Sequence, residues 1–356
     1  MINKITNKYK CLFSSLNLNS DNEDNQCIQC PKFITNDSFL IIKDKSIVKY
    51  NYNYNEKETT IDSIKSESDF IEKNYIYDSD TINIYDNDNN PYICICSKDN
   101  PIRILNNNLS LIKSFTLENK LKEKYLSPIF IKHDKIGLNI FIGKNFLSKI
   151  DLIKQKESFI KYNKNYKLLS CFDFNIKYSC YFLGSYNNNF LLCDYKTDKI
   201  IEIYKQEKPV NDIKILNNKI YEILVGYRNS DFFCLFDIRK MNNYVGKFER
   251  NACTTKKINF ILDKDENNIY TGDINGNIIK YNFKEDNNFL KEEINIGVNK
   301  SITGIDLDNK YNLLLVSYDD NIDNMNDDLG SDDGEKGNEN KIIKNIRKSN
   351  FNIYKI

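Results

Sequence analysis

Between residues 168 and 283 one pattern occurs three times: Gly184-Ser185-Tyr186 leading to Cys193-Asp194, Gly226-Tyr227-Arg228 leading to Phe236-Asp237, and Gly272-Asp273, with Asn275-Gly276, leading to Tyr281-Asn282. Each copy reads as an apolar strand, a second strand ending in a small residue, a polar turn, and a third strand ending in an aromatic or apolar residue before Asp or Asn. From Cys193 to Phe236 is 43 residues and from Phe236 to Tyr281 is 45, the length of one four-stranded β-propeller blade. A blade cannot bury both faces alone, so this period implies further blades packed radially around a channel.

The period continues upstream. Leu105 to Ile150 is 45 residues and Ile150 to Cys193 is 43. Blade 2 is expected at 75–84, 92–97, 101–105 and 111–115, and blade 3 at 129–132, 138–143, 146–151 and 157–162. Blade 1 takes 27–33, 38–43 and 46–52, with the polar residues 55–69 read as a surface connection. Blade 7 begins at 301–307 and 313–318 and resumes at 351–356. Between them, residues 319–339 carry nine acidic residues, one Lys and three Gly, the composition of a disordered loop, and a basic run at 341–348 follows. Residues 9–18 read as a short strand completing the last blade. The expectation is an all-β, seven-bladed WD40 propeller, one domain over 9–356, with a disordered acidic and basic insertion at 319–349 in blade 7.

Composition narrows the function classes. The apolar share is 40% and there are 45 Phe and Tyr residues, enough for a large core. The formal net charge of +1 gives no global pull toward DNA or an anionic membrane. No signal peptide and no long apolar run is present, and the ten cysteines lie mostly in strands, so free thiols in a reducing compartment are expected. The single histidine, His133, falls in an expected turn after an outer strand and reads as an ordinary surface residue. With no nucleophile elbow or acid–base pair beside it, the chain reads as no enzyme. Cys27-Ile28-Gln29-Cys30 lacks the second pair a zinc site needs, and Gly272-Asp273-Ile274-Asn275-Gly276-Asn277 is a hairpin turn rather than a phosphate loop. No metal and no cofactor is expected.

The loops between the second and third strands of each blade emerge on one rim. They hold Lys43, Lys45, Lys98, Lys144, Tyr186 and Arg228, together with the acidic insertion. Basic and aromatic side chains on one face suit phosphate contacts and base stacking; a solvated rim in a lysine-rich chain would carry the same lysines, and both readings stand. Arginine is scarce here, which singles out Arg228, whose fork fits phosphate or carboxylate. It could equally brace its loop by pairing with Asp231.

Several motifs resemble the telomerase Cajal body protein family of WD40 proteins. They are Ile76-Tyr77-Asp78, Ser97-Lys98-Asp99-Asn100-Pro101-Ile102, Leu169-Ser170-Cys171 leading to Gly184-Ser185-Tyr186, Gly226-Tyr227-Arg228-Asn229-Ser230-Asp231 through Cys234-Leu235-Phe236-Asp237-Ile238-Arg239, Thr254-Thr255 before Ile258, and the acidic insertion after Tyr318. The similarity runs over residues 9–356. It departs from the family in having no Trp and no Gly-His dipeptide, so the Asp-His-Ser/Thr-Trp bracing of typical WD40 blades is replaced by Phe, Tyr and Ile packing.

The resemblance implies a noncatalytic nuclear scaffold, Cajal body-like or nucleoplasmic, with a share in the cytoplasm also open. It would be monomeric within a larger complex, binding small Cajal body RNA or telomerase RNA together with box H/ACA proteins such as dyskerin. It also implies Lys98, Arg228 and Arg239 as RNA contacts; the rim adds Lys144 and Tyr186, and Tyr227 is a further candidate for stacking a base. The alternative is a protein-only WD40 scaffold in splicing, ribosome assembly or a methyltransferase complex.

Overall fold

Short apolar runs broken by Asn, Asp and Gly turns favour antiparallel strands over helices, and the computed structural model is all-β. It describes residues 10–15, 28–82, 90–119, 124–134, 139–160, 168–175, 177–219, 221–283, 289–297, 299–319 and 350–356. The acidic insertion after Asp319 and Cys27 of the Cys-x-x-Cys motif lie outside the described residues.

Within each blade the strands pair in chain order. Blade 1 is Ile28–Thr35, Ser38–Lys43, Ser46–Asn55 and Thr60–Ile71; blade 2 is Ile76–Ile82, Tyr92–Ser97, Ile102–Leu105 and Leu111–Phe115. Blade 3 is Phe130–His133, Asn139–Gly143, Leu147–Asp151 and Lys156–Ile160; blade 4 is Leu169–Asn175, Cys180–Ser185, Asn189–Asp194 and Ile200–Lys205. Blade 5 is Val210–Ile215, Glu222–Tyr227, Phe232–Asp237 and Tyr244–Glu249; blade 6 is Phe260–Leu262, Asn268–Gly272, Asn277–Phe283 and Phe289–Asn295. Blade 7 uses Ser301–Asp308, Leu313–Asp319 and Asn350–Lys355, and its outer strand is the N-terminal Lys10–Ser14, antiparallel to Asn350–Lys355. The chain is therefore a seven-bladed β-propeller, consistent with WD40, in which the first strand closes the ring as expected.

Two expectations need correction. The stretch 55–69 is no plain connection: Thr60–Ile71 is the fourth strand of blade 1, paired along Ser46–Asn55. It escapes recognition because an outermost strand faces water on one side and along one edge, so Ser, Asp, Lys and Glu replace the apolar run, leaving Ile61, Ile64 and Phe70 to pack inward. His133 is not on the surface. It is 3% exposed at the end of the inner strand of blade 3, because that strand runs one residue further than expected and the Asp134 behind it is capped by the Tyr195 hydroxyl, which donates to Oδ2 at 2.6 Å.

The core is divided among the blade interfaces. Each of seven apolar clusters joins one blade to the next, including blade 7 to blade 1. Second strands such as Asn139–Gly143 and Cys180–Ser185 are buried along their whole length because both faces are covered. Three interfaces are aromatic: Phe39 and Tyr50 against Phe351, Phe141 against Phe172, and Phe233 against Phe260. The small residue ending the second strand has a packing cause. A Cβ on Gly272 would lie 2.3 Å from Ile302 Cβ, and one on Gly184 would lie 2.6 Å from Val210 Cγ1, in each case on the inner strand of the following blade.

A second device joins the inner strands. Asp78 and Asp80 of blade 2 accept the backbone N–H groups of Ile131 (3.2 Å) and His133 (2.8 Å) in blade 3. Asp173 accepts from Ile215 at 2.7 Å, Asp212 from Phe260 at 3.4 Å, Asn259 from Ile305 at 3.0 Å and Asp306 from Phe33 at 2.7 Å. The last of these crosses the seam where the chain ends meet. Each bond pairs an orphan N–H on an inner edge, and a bond to a carboxylate contributes about 1.5–3 kcal/mol. These links brace the inner strand of one blade against that of the next.

Candidate nucleic-acid interface on one rim

In a meander, the turn between the second and third strands and the connection to the next blade fall at one end of the sheet. The other two turns fall at the opposite end. This places Lys98, Lys144, Tyr186 and Arg228 on one rim and Arg239, between the third and fourth strands of blade 5, on the other. The rim turns share a local cause. Asp44, Asp99, Asn188, Asn229 and Gly276 all have positive φ, between 47° and 83°, a region that Asp, Asn and Gly tolerate best. Lys98 and Arg228 immediately precede such a residue, which fixes where they leave the turn.

Arg228 lies with Cζ 5.0 Å from the ring centroid of Tyr186, on the neighbouring blade. The Tyr186 hydroxyl donates to Asn211 Oδ1 at 3.3 Å, which pins the ring. Burial raises the Tyr186 phenol, with the positive charges of Lys257 and Arg228 acting against it. The pairing of Arg228 with Asp231 does not form: Asp231 faces Lys208 at 3.9 Å, while Arg228 Nε is buried and has no hydrogen-bond partner among the described residues.

The other described arginines are engaged. Arg103 Nε donates to Glu72 at 3.0 Å, Arg239 is held by Asp237, and Arg250, 3% exposed, donates from Nη1 to the Ile258 carbonyl at 3.0 Å. Arg228 is thus a planar, half-buried cation lying over an aromatic face and not drawn into an ion pair among the described residues, a geometry that receives an anion or a stacked base on its exposed side.

Lys257 adds charge beside this pair, 3.4 Å from Asp212. Burial pulls its ammonium down, but Asp212 and Asp78 outweigh this and hold it charged beyond the ordinary lysine range. Lys98 is exposed on a loop braced by Ser127, whose hydroxyl donates to Asp99 at 2.7 Å. Lys144 is half-buried, and its carbonyl accepts the Leu169 N–H at 2.6 Å.

Two expected contacts fall elsewhere. Tyr227 is 5% exposed and its hydroxyl donates to Gln206 at 2.8 Å. As the last residue of its strand it points into the interface between blades 4 and 5, so its ring is not offered to a base. Arg239 cannot join the rim of Arg228, because the loop after a third strand turns at the opposite end.

Sequence reading missed the channel wall. Lys32 is paired with Asp80, and Lys132 lies in the field of Asp78, Asp80 and Asp212, which raises it against the effect of burial. The signal was a polar residue at every second position of otherwise apolar inner strands, as in Asp78 and Asp80 or Asp212 and Lys214. Two of these carboxylates are met by lysines, Asp80 by Lys32 and Asp212 by Lys257. Among the described residues no three His, Cys, Asp or Glu side chains gather as a metal site, and burial pushes the Cys30 thiol up to about 11, which disfavours the thiolate a metal requires. No protein-family model matches the chain, and no curated protein matches it.

Proposed function

We propose that the chain is a noncatalytic propeller scaffold that holds a small noncoding RNA on the Arg228 rim. The RNA is of the small Cajal body or telomerase class, and the scaffold works in the nucleus with ribonucleoprotein proteins such as dyskerin. One observation carries this reading: the half-buried guanidinium of Arg228 over the Tyr186 ring, with the charge of Lys257 beside it. Cation and aromatic face together suit a single-stranded nucleotide, whose phosphate and base are met by different parts of the same stack. The motif resemblance supplies the RNA class.

The test is crosslinking of the tagged protein in its own cells, followed by sequencing of the attached RNA. Box H/ACA or telomerase RNA crosslinked at the rim is expected. Recovery of no RNA above background would sink the reading and leave a propeller scaffold that binds proteins alone.

A further inference from the structure

The rim opposite Arg228 carries a second stack, assembled from three turns of blades 4 and 5. Arg239 Cζ lies 3.9 Å from the ring centroid of Tyr221, which sits in the turn between the first two strands of blade 5. The Tyr221 ring lies 5.5 Å from that of Tyr178, in the matching turn of blade 4. All three are open to solvent, Tyr178 by 42%, Tyr221 by 38% and the Arg239 side chain by 59%. Asp237 accepts from Arg239 Nε at 2.9 Å and Nη2 at 2.6 Å, and also from its backbone N–H at 2.9 Å. Asp237 therefore holds Arg239 against the Tyr221 ring, and the arginine charge is already met.

Lys177 and Lys240, both exposed, occupy the same turns. Lys177 donates to the neutral carbonyl of Asn217 at 3.1 Å. The neighbouring carboxylates are engaged elsewhere, Asp237 by Arg239 and Glu222 by Lys219 at 3.7 Å.

We propose that this stack is a docking surface for an acidic segment of a protein partner, one carrying an aromatic side chain. Tyr and Arg concentrate binding energy at protein interfaces, and an arginine already held in place loses little entropy on binding. The two lysines favour acidic residues on either side of the aromatic anchor. Nucleic acid is the weaker fit, because the Arg239 fork is closed on Asp237 and has little left for a phosphate. This surface is on the other rim and stands whether or not the Arg228 rim binds RNA.

The experiment is a fluorescence anisotropy titration of the full chain with a fluorescein-labelled copolymer of glutamate and tyrosine, with polyglutamate and oligouridine as competitors. The copolymer binds, and affinity falls about tenfold in the Tyr178→Ala, Tyr221→Ala double variant and also falls in the Lys177→Glu, Lys240→Glu variant. It is unchanged in Arg228→Ala. A tyrosine double variant that keeps the wild-type thermal midpoint and wild-type affinity overturns the proposal. So does oligouridine that displaces the copolymer and itself loses binding in that variant, which would make the stack a nucleic-acid site. Should the tyrosine variant fail to fold, the lysine reversal decides, and unchanged copolymer affinity there overturns the proposal.

Discussion

Arg228 and Arg250 are the same residue type in opposite circumstances, and their substitutions separate binding from folding. Arg250 is buried between blades 5 and 6, with Nη1 bonded to the Ile258 carbonyl and to Thr271, and with its Cζ 5.4 Å from the Phe233 ring centroid. Burial pulls its guanidinium down to about 10. Arg250→Ala strands those acceptors and opens a void, so a loss of about 2–4 kcal/mol is expected, measured as a shift in the denaturant midpoint. Midpoints within error of wild type would refute the bracing role. Arg228→Ala removes a side chain that, among the described residues, makes no side-chain hydrogen bond. RNA affinity should fall about fivefold to thirtyfold with little change in the thermal midpoint, and Arg228→Lys should recover charge but not the planar stack. Unchanged RNA affinity in the alanine variant, or loss of its fold, would remove Arg228 from the binding site.

At the scale of strands, the ring depends on Lys10–Ser14. This segment pairs with Asn350–Lys355, stacks Phe13 on Phe351 at 6.0 Å, and is followed by Ser15, whose hydroxyl accepts the Phe351 N–H at 3.0 Å. Without it, Asn350–Lys355 becomes an unpaired edge at the seam between blades 7 and 1. Deleting residues 1–15 should lower the thermal midpoint by several degrees or about 2 kcal/mol, and limited proteolysis should cut first near residue 350. A truncated chain as stable and protease-resistant as the full one would show that closure lies elsewhere. This strand was legible because Cys11, Leu12 and Phe13 form an apolar patch in a polar stretch. The strand Thr60–Ile71 was not, because its outward residues obey solvation and only its backbone partner identifies it. The rim of Arg239 needed no structure at all, only a count of turns from the start of blade 5. The bonds from Asp78, Asp173 and Asp306 to the next blade join residues 42 to 273 positions apart, a separation that no local pattern reveals.

For the whole molecule, the inner ring of carboxylates ties stability to pH. Burial works against the ionised form of Asp80, but Lys32, Lys132 and the His133 N–H outweigh it and hold the carboxyl below its ordinary range. The native chain therefore binds fewer protons at Asp80 than the unfolded chain, where an aspartate titrates at about 3.9. Its contribution is fully present above that value and is lost as pH falls through the lower native one. Asp306 shifts the other way, raised by burial against the bond from Phe33 and the charge of Lys32, so protonation there relieves a cost while Asp80 loses its gain. Asp80→Asn should consequently be less stable than wild type at pH 7, with the gap closing as pH drops from about 4 toward 2. The measurement is urea unfolding of both proteins across that range. A gap independent of pH would mean that Asp80 acts through its shape and its hydrogen bond alone. It would also mean that the charge of Lys32 and Lys132 contributes nothing to holding blades 1, 2 and 3 together.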